Sequence, residues 1–439
     1  MNRGRVLVLL IGISTPFLAV GSTSDSGPRR ASFAADGPDV ELYVKLTGAP
    51  PSVAANELAK QQLAHPGIES LRKEFAGRLA GVYWENYPHQ AIHVRLTGKE
   101  AVAPRVLKTD AGVVPVVFVS GASEGLEAQK ARLMRALPML SSMIPGLMGA
   151  GVDERTGIVQ LDVISAESDA FAYDEEKESI EKLLGMKVRF SLSKAYEEEG
   201  LKSEAEVTFD ASPQARQRLA SAGTSVLPGG WRLDGASTWC TGGFTVRHVA
   251  SGKKGVLTAG HCLNSMIYSD YPQPPATIPS VILPTNMEQE WWGGGNDFQW
   301  HSFDNGIEVN AVFCKDYINC GEVVVLQIPN PALGTVVCHM GATTGRSCGV
   351  VAMLDYKYVF STEHPCPNSP ENCPTGNWIL VTGPNLACAG GDSRGPVFAG
   401  TTACGLAKGA RTNGKLPGQC AELIVMPIDR VTSAGFNLL

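Results

Sequence analysis

Hydrophobic and polar positions divide the chain into stretches with different rhythms. After Met-Asn-Arg-Gly-Arg, residues 6–20 are almost wholly apolar, and Gly21, Ser22 and Thr23 follow. A basic start, an apolar run of about fifteen residues and small residues after it predict a secretory signal peptide over residues 1–21, with Ala19 and Gly21 as the small residues before cleavage. The run is shorter than the roughly 20 residues a spanning helix needs, which leaves an uncleaved anchor as the lesser alternative. Residues 22–39, STSDSGPRRASFAADGPD, are small, polar and broken by Gly and Pro, as in a linker.

From residue 52 the apolar spacing becomes helical. SVAANELAKQQLAHPGIESLRKEFAGRLAGV predicts two helices broken at Pro66-Gly67, with Leu71, Phe75 and Leu79 on one face. GVYWENYPHQAIHVRLTG gives two strand-like runs around Asn86-Tyr87-Pro88. VVPVVFVSG reads as a strand, EGLEAQKARLMRALPML as a helix, and GIVQLDVIS as a strand following the turn-like residues 153–157. Residues 175–184 are expected to be helical and 187–191 extended. Residues 40–225 are therefore α+β, and nothing in them has the pattern of a catalytic centre or a phosphate-binding glycine loop. Beyond residue 226 the rhythm shortens again. Runs such as GGFTVRHV, KGVLTAG, SCGVVAML, YKYVFST, NWILVTG, GPVFAG and ELIVMPI alternate with Gly-rich turns. Many short strands at close spacing predict a closed or sandwiched antiparallel domain over residues 226–439.

Composition sharpens that division. Residues 226–439 hold 12 of the 37 Lys/Arg and 15 of the 43 Asp/Glu, but all 11 Cys, which lie between Cys240 and Cys420. A charge-rich, thiol-free half thus precedes a charge-poor, cysteine-dense one, and two globular units with different fates are expected. The net charge of -6 argues against a nucleic-acid partner held by phosphate neutralisation. No segment after residue 21 is apolar enough to span a bilayer, so no membrane contact is expected once the signal is removed. Export would place the thiols where disulfides persist.

Three segments of the second half carry nucleophilic or ionisable residues in Gly-rich settings: Thr258-Ala259-Gly260-His261-Cys262, Gly295-Asn296-Asp297-Phe298, and Gly390-Gly391-Asp392-Ser393-Arg394-Gly395-Pro396. A serine hydroxyl is a poor nucleophile near pH 7 and needs an adjacent base, which in turn needs an acceptor to fix its tautomer. Ser393, His261 and Asp297 supply these parts. Each has a blander reading: a histidine beside a cysteine also suits a metal site or a packed core, and Asp270 and Asp304 are alternative partners for the imidazole. Cys-x2-Cys pairs of zinc-binding spacing are absent, so neither a metal nor any other cofactor is expected.

At these segments the chain resembles the chymotrypsin-like serine proteases, in the order His, Asp, Ser, in TAGHC, and in GDS followed closely by Gly-Pro. It is most similar to the secreted bacterial streptogrisin and alpha-lytic protease group, through CTGGFTV, VCHMGATTGRSCG, ACAGGDS and GQC, over roughly residues 226–439. The resemblance implies an all-β catalytic domain of two six-stranded antiparallel barrels. It also implies a Ser393 nucleophile, a His261 base, an orienting Asp297, an oxyanion hole from the Gly391 and Ser393 N–H groups, and a substrate-binding strand at Lys408, Gly409 and Ala410. An inactive homologue that binds peptide through the same cleft is the competing class.

The resemblance further implies bridges Cys240–Cys262, Cys338–Cys348 and Cys388–Cys420. Short spacings make local bridges plausible for Cys314 with Cys320 and Cys366 with Cys373, leaving Cys404 as the free thiol. Residues 40–225 match in size and place the pro-regions of that group, which assist folding and block the site; a permanent partner-binding domain is the rival. A monomer acting on protein or peptide substrate outside the cell is expected. Two positions depart from the pattern. Arg394 stands where Gly is usual, and its side chain is expected to point out of the crowded turn. Lys408 stands where a small serine usually supports the aspartate; it either pairs with Asp297 or points to solvent. His339 is expected either to pair with Asp392 or to lie at the surface.

Overall fold

A computed structural model of the chain describes residues 33–164, 173–193, 227–271 apart from 236 and 237, 282–303 apart from 294, 307, 309–358 apart from 325, 376–411 and 418–439. The expected signal peptide, most of the expected linker, Asp304, and Cys366 with Cys373 lie outside these residues.

Helix α1 (Pro38–Thr47) begins inside the segment read as linker, with Pro in its first turn and Gly48, at φ 72°, closing it. Helices α2 (Pro51–Leu63) and α3 (His65–Glu74) follow. Their break falls at Ala64 rather than at Pro66-Gly67, because Pro66 sits in the first turn of α3, where its missing N–H costs no helical bond. Leu79 is not on that helical face; it opens strand β1 (Leu79–Glu85). With β2 (Ala91–Thr97), β3 (Arg105–Thr109) and β4 (Gly112–Ala122) this makes a four-stranded sheet in the order β1-β2-β4-β3. Alternate residues Val82 and Trp84, Val94 and Leu96, Val114 and Val116 bury against Ile68 and Leu71 of α3.

Helix α4 (Leu126–Met143) aligns Leu133, Leu137 and Leu140 at helical spacing over a second core. That core is shared with strands β5 (Leu147–Val152) and β6 (Val159–Ile164), helix α5 (Asp174–Leu184) and strand β7 (Val188–Ser193). Strand β5 had no sequence signal, since LMGAGV carries two glycines and no alternation. Its glycines are what its position requires. A Cβ on Gly149 would lie 1.9 Å from Tyr356 Oη, and one on Gly151 1.9 Å from Met353 Sδ. The strand can therefore lie directly on the second half of the chain.

In that second half the described residues form strands, apart from one short helix, Asp429–Ser433. Strands Val336–Gly341, Gly345–Tyr358, Asn377–Thr382, Glu422–Pro427, Thr402–Arg411 and Pro396–Ala399 pair in turn and return to the first, a closed six-stranded barrel. Val337, Val351, Ile379, Val381, Val397 and Val425 fill part of its core. The preceding residues form a four-stranded sheet centred on Arg232–Asp234 and Ile267–Ser269, and a five-stranded one. In the five-stranded sheet Asn296–Ser302 and Lys254–Thr258 pair side by side, and the C-terminal strand Phe436–Leu438 closes the edge.

The run SCGVVAML and the first three residues of YKYVFST are one strand, Gly345–Tyr358, whose register shifts between Met353 and Tyr356 where Asp355 adopts φ 51°. Beyond the shift, Lys357 and Tyr358 pair with Ala150 and Gly149 of β5, so the barrel sheet continues through β5, β6 and β7. A buried polar cluster bridges this junction. Asp162 Oδ2 accepts from Tyr356 Oη (2.6 Å) and Arg411 Nη2 (2.8 Å), and Arg411 also pairs with Glu422. All described residues belong to one compact unit, Ala31–Leu439, and none of their helices is long and apolar enough to cross a membrane.

Candidate active site

Three pieces of chain converge. The first is the turn after strand Lys254–Thr258, which carries His261. Cys262 within it is bridged to Cys240 of strand Trp239–Thr241. The neighbouring strand Asn296–Ser302 places Asp297 and Gln299 on one face, both buried. Gln299 Nε2 donates to the carbonyls of Ala259 (2.8 Å) and Cys262 (3.1 Å), pinning the turn from below. Asp297 then receives His261. Its Oδ2 lies 2.9 Å from Nδ1, and its Oδ1 accepts the His261 backbone N–H at 3.2 Å. Because a carboxylate can only accept, Nδ1 carries the hydrogen and the Nε2 lone pair is left as the basic site. Asp270, the alternative acceptor, follows strand Ile267–Ser269, and the imidazole bond is made by Asp297.

The second piece is the turn holding Ser393. The carboxylate of Asp392 organises it by accepting from the N–H groups of Thr343 (2.9 Å), Thr344 (3.1 Å) and Ala389 (2.9 Å) and from the Thr344 hydroxyl (2.6 Å). Gly391 has φ 97°, and a Cβ there would stand 2.1 Å from Trp239 Nε1, so both backbone sign and space require glycine. The bridge Cys388–Cys420 braces the entry to the turn. Thr241, next to Cys240, ties it to the His261 side: its N–H donates to the Ser393 carbonyl (3.1 Å) and its hydroxyl to that of Gly391 (2.8 Å). His261 is thus joined directly to Asp297, and the Ser393 turn is tied through Thr241 to the strand whose Cys240 is bridged to Cys262. Among the described residues, the backbone N–H groups of Gly391 and Ser393 donate to no other backbone carbonyl.

The third piece is strand Thr402–Arg411. Its pairing with Glu422–Pro427 slips between Ala407 and Gly409, so Lys408 sits on a bulge that turns its side chain inward. Lys408 Nζ lies 2.9 Å from Asp297 Oδ2, which settles its two sequence alternatives as an ion pair. Gly409 and Ala410 follow on the same strand, each half-buried.

Arg394 corrects an expectation. It does not leave the turn: it is fully buried at 0% exposure, its backbone has φ 66°, and its Nη2 lies 2.9 Å from the same Asp297 oxygen. Its N–H donates to the Ala407 carbonyl at 2.6 Å, which anchors the residue against the Lys408 strand, with its side chain directed to the buried Asp297. The contact is Coulombic, since no guanidinium nitrogen of Arg394 is aligned to hydrogen-bond among the described residues.

His339 is not at the surface, and Asp392 acts on it through its charge rather than through a hydrogen bond among the described residues. It is buried, and its Nε2–H donates to the Ala387 carbonyl (2.7 Å), while the acceptors of Asp392 are filled by threonine and backbone donors. Burial lowers its affinity for a proton. Bridges Cys314–Cys320 and Cys338–Cys348 are present, and Cys404 is free and buried.

Burial alone would raise the Asp297 pKa; Arg394, then His261 and Lys408, reverse this and hold the carboxyl well below the usual range. For His261, burial pulls the imidazole below its ordinary value, Asp297 pushes it up, and Lys408 and Arg394 pull it down again. Sequence reasoning found the candidate residues through motifs that chemistry forces to be local. It missed the direction of Arg394, because that depends on which buried anion folding brings near.

In fold the chain is similar to the chymotrypsin-like bacterial serine proteases over about half its length. Three solved structures of this kind are Thermobifida fusca protease A (22% identity, 49% of this chain and 99% of that one, TM-score 0.36), Nocardiopsis protease (20%, 49% and 99%, 0.37) and Cellulomonas bogoriensis chymotrypsin (22%, 49% and 99%, 0.34). No family model matches the chain, and no curated protein matches it.

Proposed function

We propose that the protein is an exported serine endopeptidase, made with an N-terminal pro-region, that hydrolyses peptide bonds through Ser393, His261 and Asp297. The observation that carries this reading is the His261 Nδ1 to Asp297 bond at 2.9 Å, beside a turn whose Ser393 carbonyl is tied to Thr241. The Ser393 proton passes to His261 Nε2 as Oγ bonds to the scissile carbonyl carbon, and the carbonyl oxygen takes the negative charge. The N–H groups of Gly391 and Ser393 donate to that oxygen. Collapse expels the amine, which takes the proton from His261, and water repeats the sequence on the acyl ester. A peptide would lie along Lys408, Gly409 and Ala410, pairing with the strand edge.

Residues 40–225 would act as the pro-region. Strand β5 supports this by extending the barrel sheet, and buried Asp162 by pairing with Arg411 across the same junction. Four bridges among the described residues suit an extracellular location. The test is covalent labelling by a fluorophosphonate probe. Wild type is labelled and Ser393→Ala is not, with turnover falling on the order of 10⁶-fold. A peptide-binding homologue without activity is the second reading, favoured by the Arg394 guanidinium on Asp297. Folded, processed wild type that takes no label decides for it.

A further inference from the structure

Asp297 Oδ2 has three partners at one distance: His261 Nδ1, Arg394 Nη2 and Lys408 Nζ, each at 2.9 Å. A lone carboxylate beside an imidazole stabilises the imidazolium that forms when the ring takes a proton. Here the carboxylate faces two cations already, and the sum of Asp297, Arg394 and Lys408 is +1 before the ring is protonated. The arrangement is costly to keep. Arg394 holds a left-handed φ of 66° as a non-glycine residue, and its guanidinium is buried without an aligned acceptor. Lys408 needs a bulge to reach inward. Both costs are met at residues whose side chains reach one carboxylate, which places the reason at the anion itself.

We propose that Arg394 and Lys408 are positioning residues that neutralise the Asp297 carboxylate, leaving it to orient His261 as a hydrogen-bond acceptor while disfavouring the imidazolium. The proposal rests on the serine-protease reading for its catalytic meaning, but the state of the ring is measurable without catalysis. Among the described residues, the ionisable groups that bear on the imidazole include Asp297 on its strand, Arg394 from the Ser393 turn and Lys408 from the bulged strand. Glu290, across from Gln299 on the adjacent strand, interacts with Asp297. The device works in one direction. It keeps the ring a free base to lower pH than a lone carboxylate would, and it makes the ring a weaker base in the reaction.

The experiment follows the His261 ring signal by NMR in the full chain labelled at histidine, assigned with His261→Gln, together with the rate of fluorophosphonate labelling against pH. Lys408→Met, Lys408→Arg, Arg394→Gly and the double variant Arg394→Gly/Lys408→Met are compared with wild type. The His261 midpoint is expected to rise in Lys408→Met, to rise further in the double variant, and to stay near wild type in Lys408→Arg, which keeps the charge. Labelling in Lys408→Met falls on the order of tenfold at the acid end of the profile, where its ring is already protonated. Lys408→Met leaves the Arg394 pair in place, so the comparison does not depend on Arg394→Gly folding. An unchanged midpoint in Lys408→Met, or an equal rise in Lys408→Arg, overturns the proposal. Ring signals that move as expected in a protein taking no label uphold it while refuting the protease reading; labelling with an unmoved ring does the reverse.

Discussion

Replacing Asp297 by Asn should unsettle the fold as well as the chemistry. In a triad whose aspartate meets only an imidazole and neutral donors, this change mostly affects the ring's tautomer. Here it also strips the shared counter-ion from Arg394, at 0% side-chain exposure, and Lys408, at 7%. At 2.9 Å each contact carries roughly 6 kcal/mol of gross attraction for an effective dielectric near 20, much of it offset by the desolvation of the charges. Removing one partner of a buried pair leaves that desolvation uncompensated and costs about 3–5 kcal/mol. At about 2–4 °C per kcal/mol for a domain of about 200 residues, the melting temperature of Asp297→Asn in the processed form, residues 226–439, should fall by about 6–20 °C. Adding Lys408→Met to Asp297→Asn removes one orphaned cation and should recover part of the loss. Differential scanning calorimetry at a fixed scan rate measures both. An Asp297→Asn variant that melts within about 2 °C of wild type, with no gain from the second change, refutes the claim that the three charges form one buried unit.

Glu422, buried beside Arg411 and Asp162, is pushed up to about 7, burial being the largest cause, with Asp162 adding to it and Arg411 opposing. Its folded pKa lies above its unfolded one, so its contribution is fully present below about pH 4.5 and is lost as pH rises to about 7. Chemical unfolding at several pH values should show stability falling over that window in wild type, and a flatter profile in Glu422→Gln. Cys404 has its thiol pushed up to about 12 by burial, so it should resist alkylation in the folded chain and react only after denaturation, as read by mass spectrometry. Gly149→Ala places a methyl where Tyr356 Oη stands, 1.9 Å from the Cβ position, and should destabilise the junction of β5 with the barrel by about 1–3 kcal/mol. Hydrogen exchange in residues 147–152 should quicken; protection equal to wild type would contradict the close approach of the two strands.

What was legible in the sequence is what short-range chemistry enforces. A histidine in TAGHC and a serine in GDS stand out because each needs a particular turn around it, and short apolar runs such as NWILVT mark strands because their middle residues are buried on both faces. The helices α2 to α5 were visible through spacing alone. Strand β5 was not, because its two glycines answer to Tyr356 and Met353, some 200 residues away in the chain. Arg394 belongs to the same class. Nothing local says whether a cation after the serine points out or in. That is decided by a bulge at Lys408, a hydrogen bond to Ala407 and a carboxylate delivered by another strand. A site residue that breaks a local rule is therefore informative about its distant partners: the left-handed backbone of Arg394 persists because the buried charge of Asp297 outweighs the strain. It follows that the three charges must be read together, since changing any one alters what the other two cost.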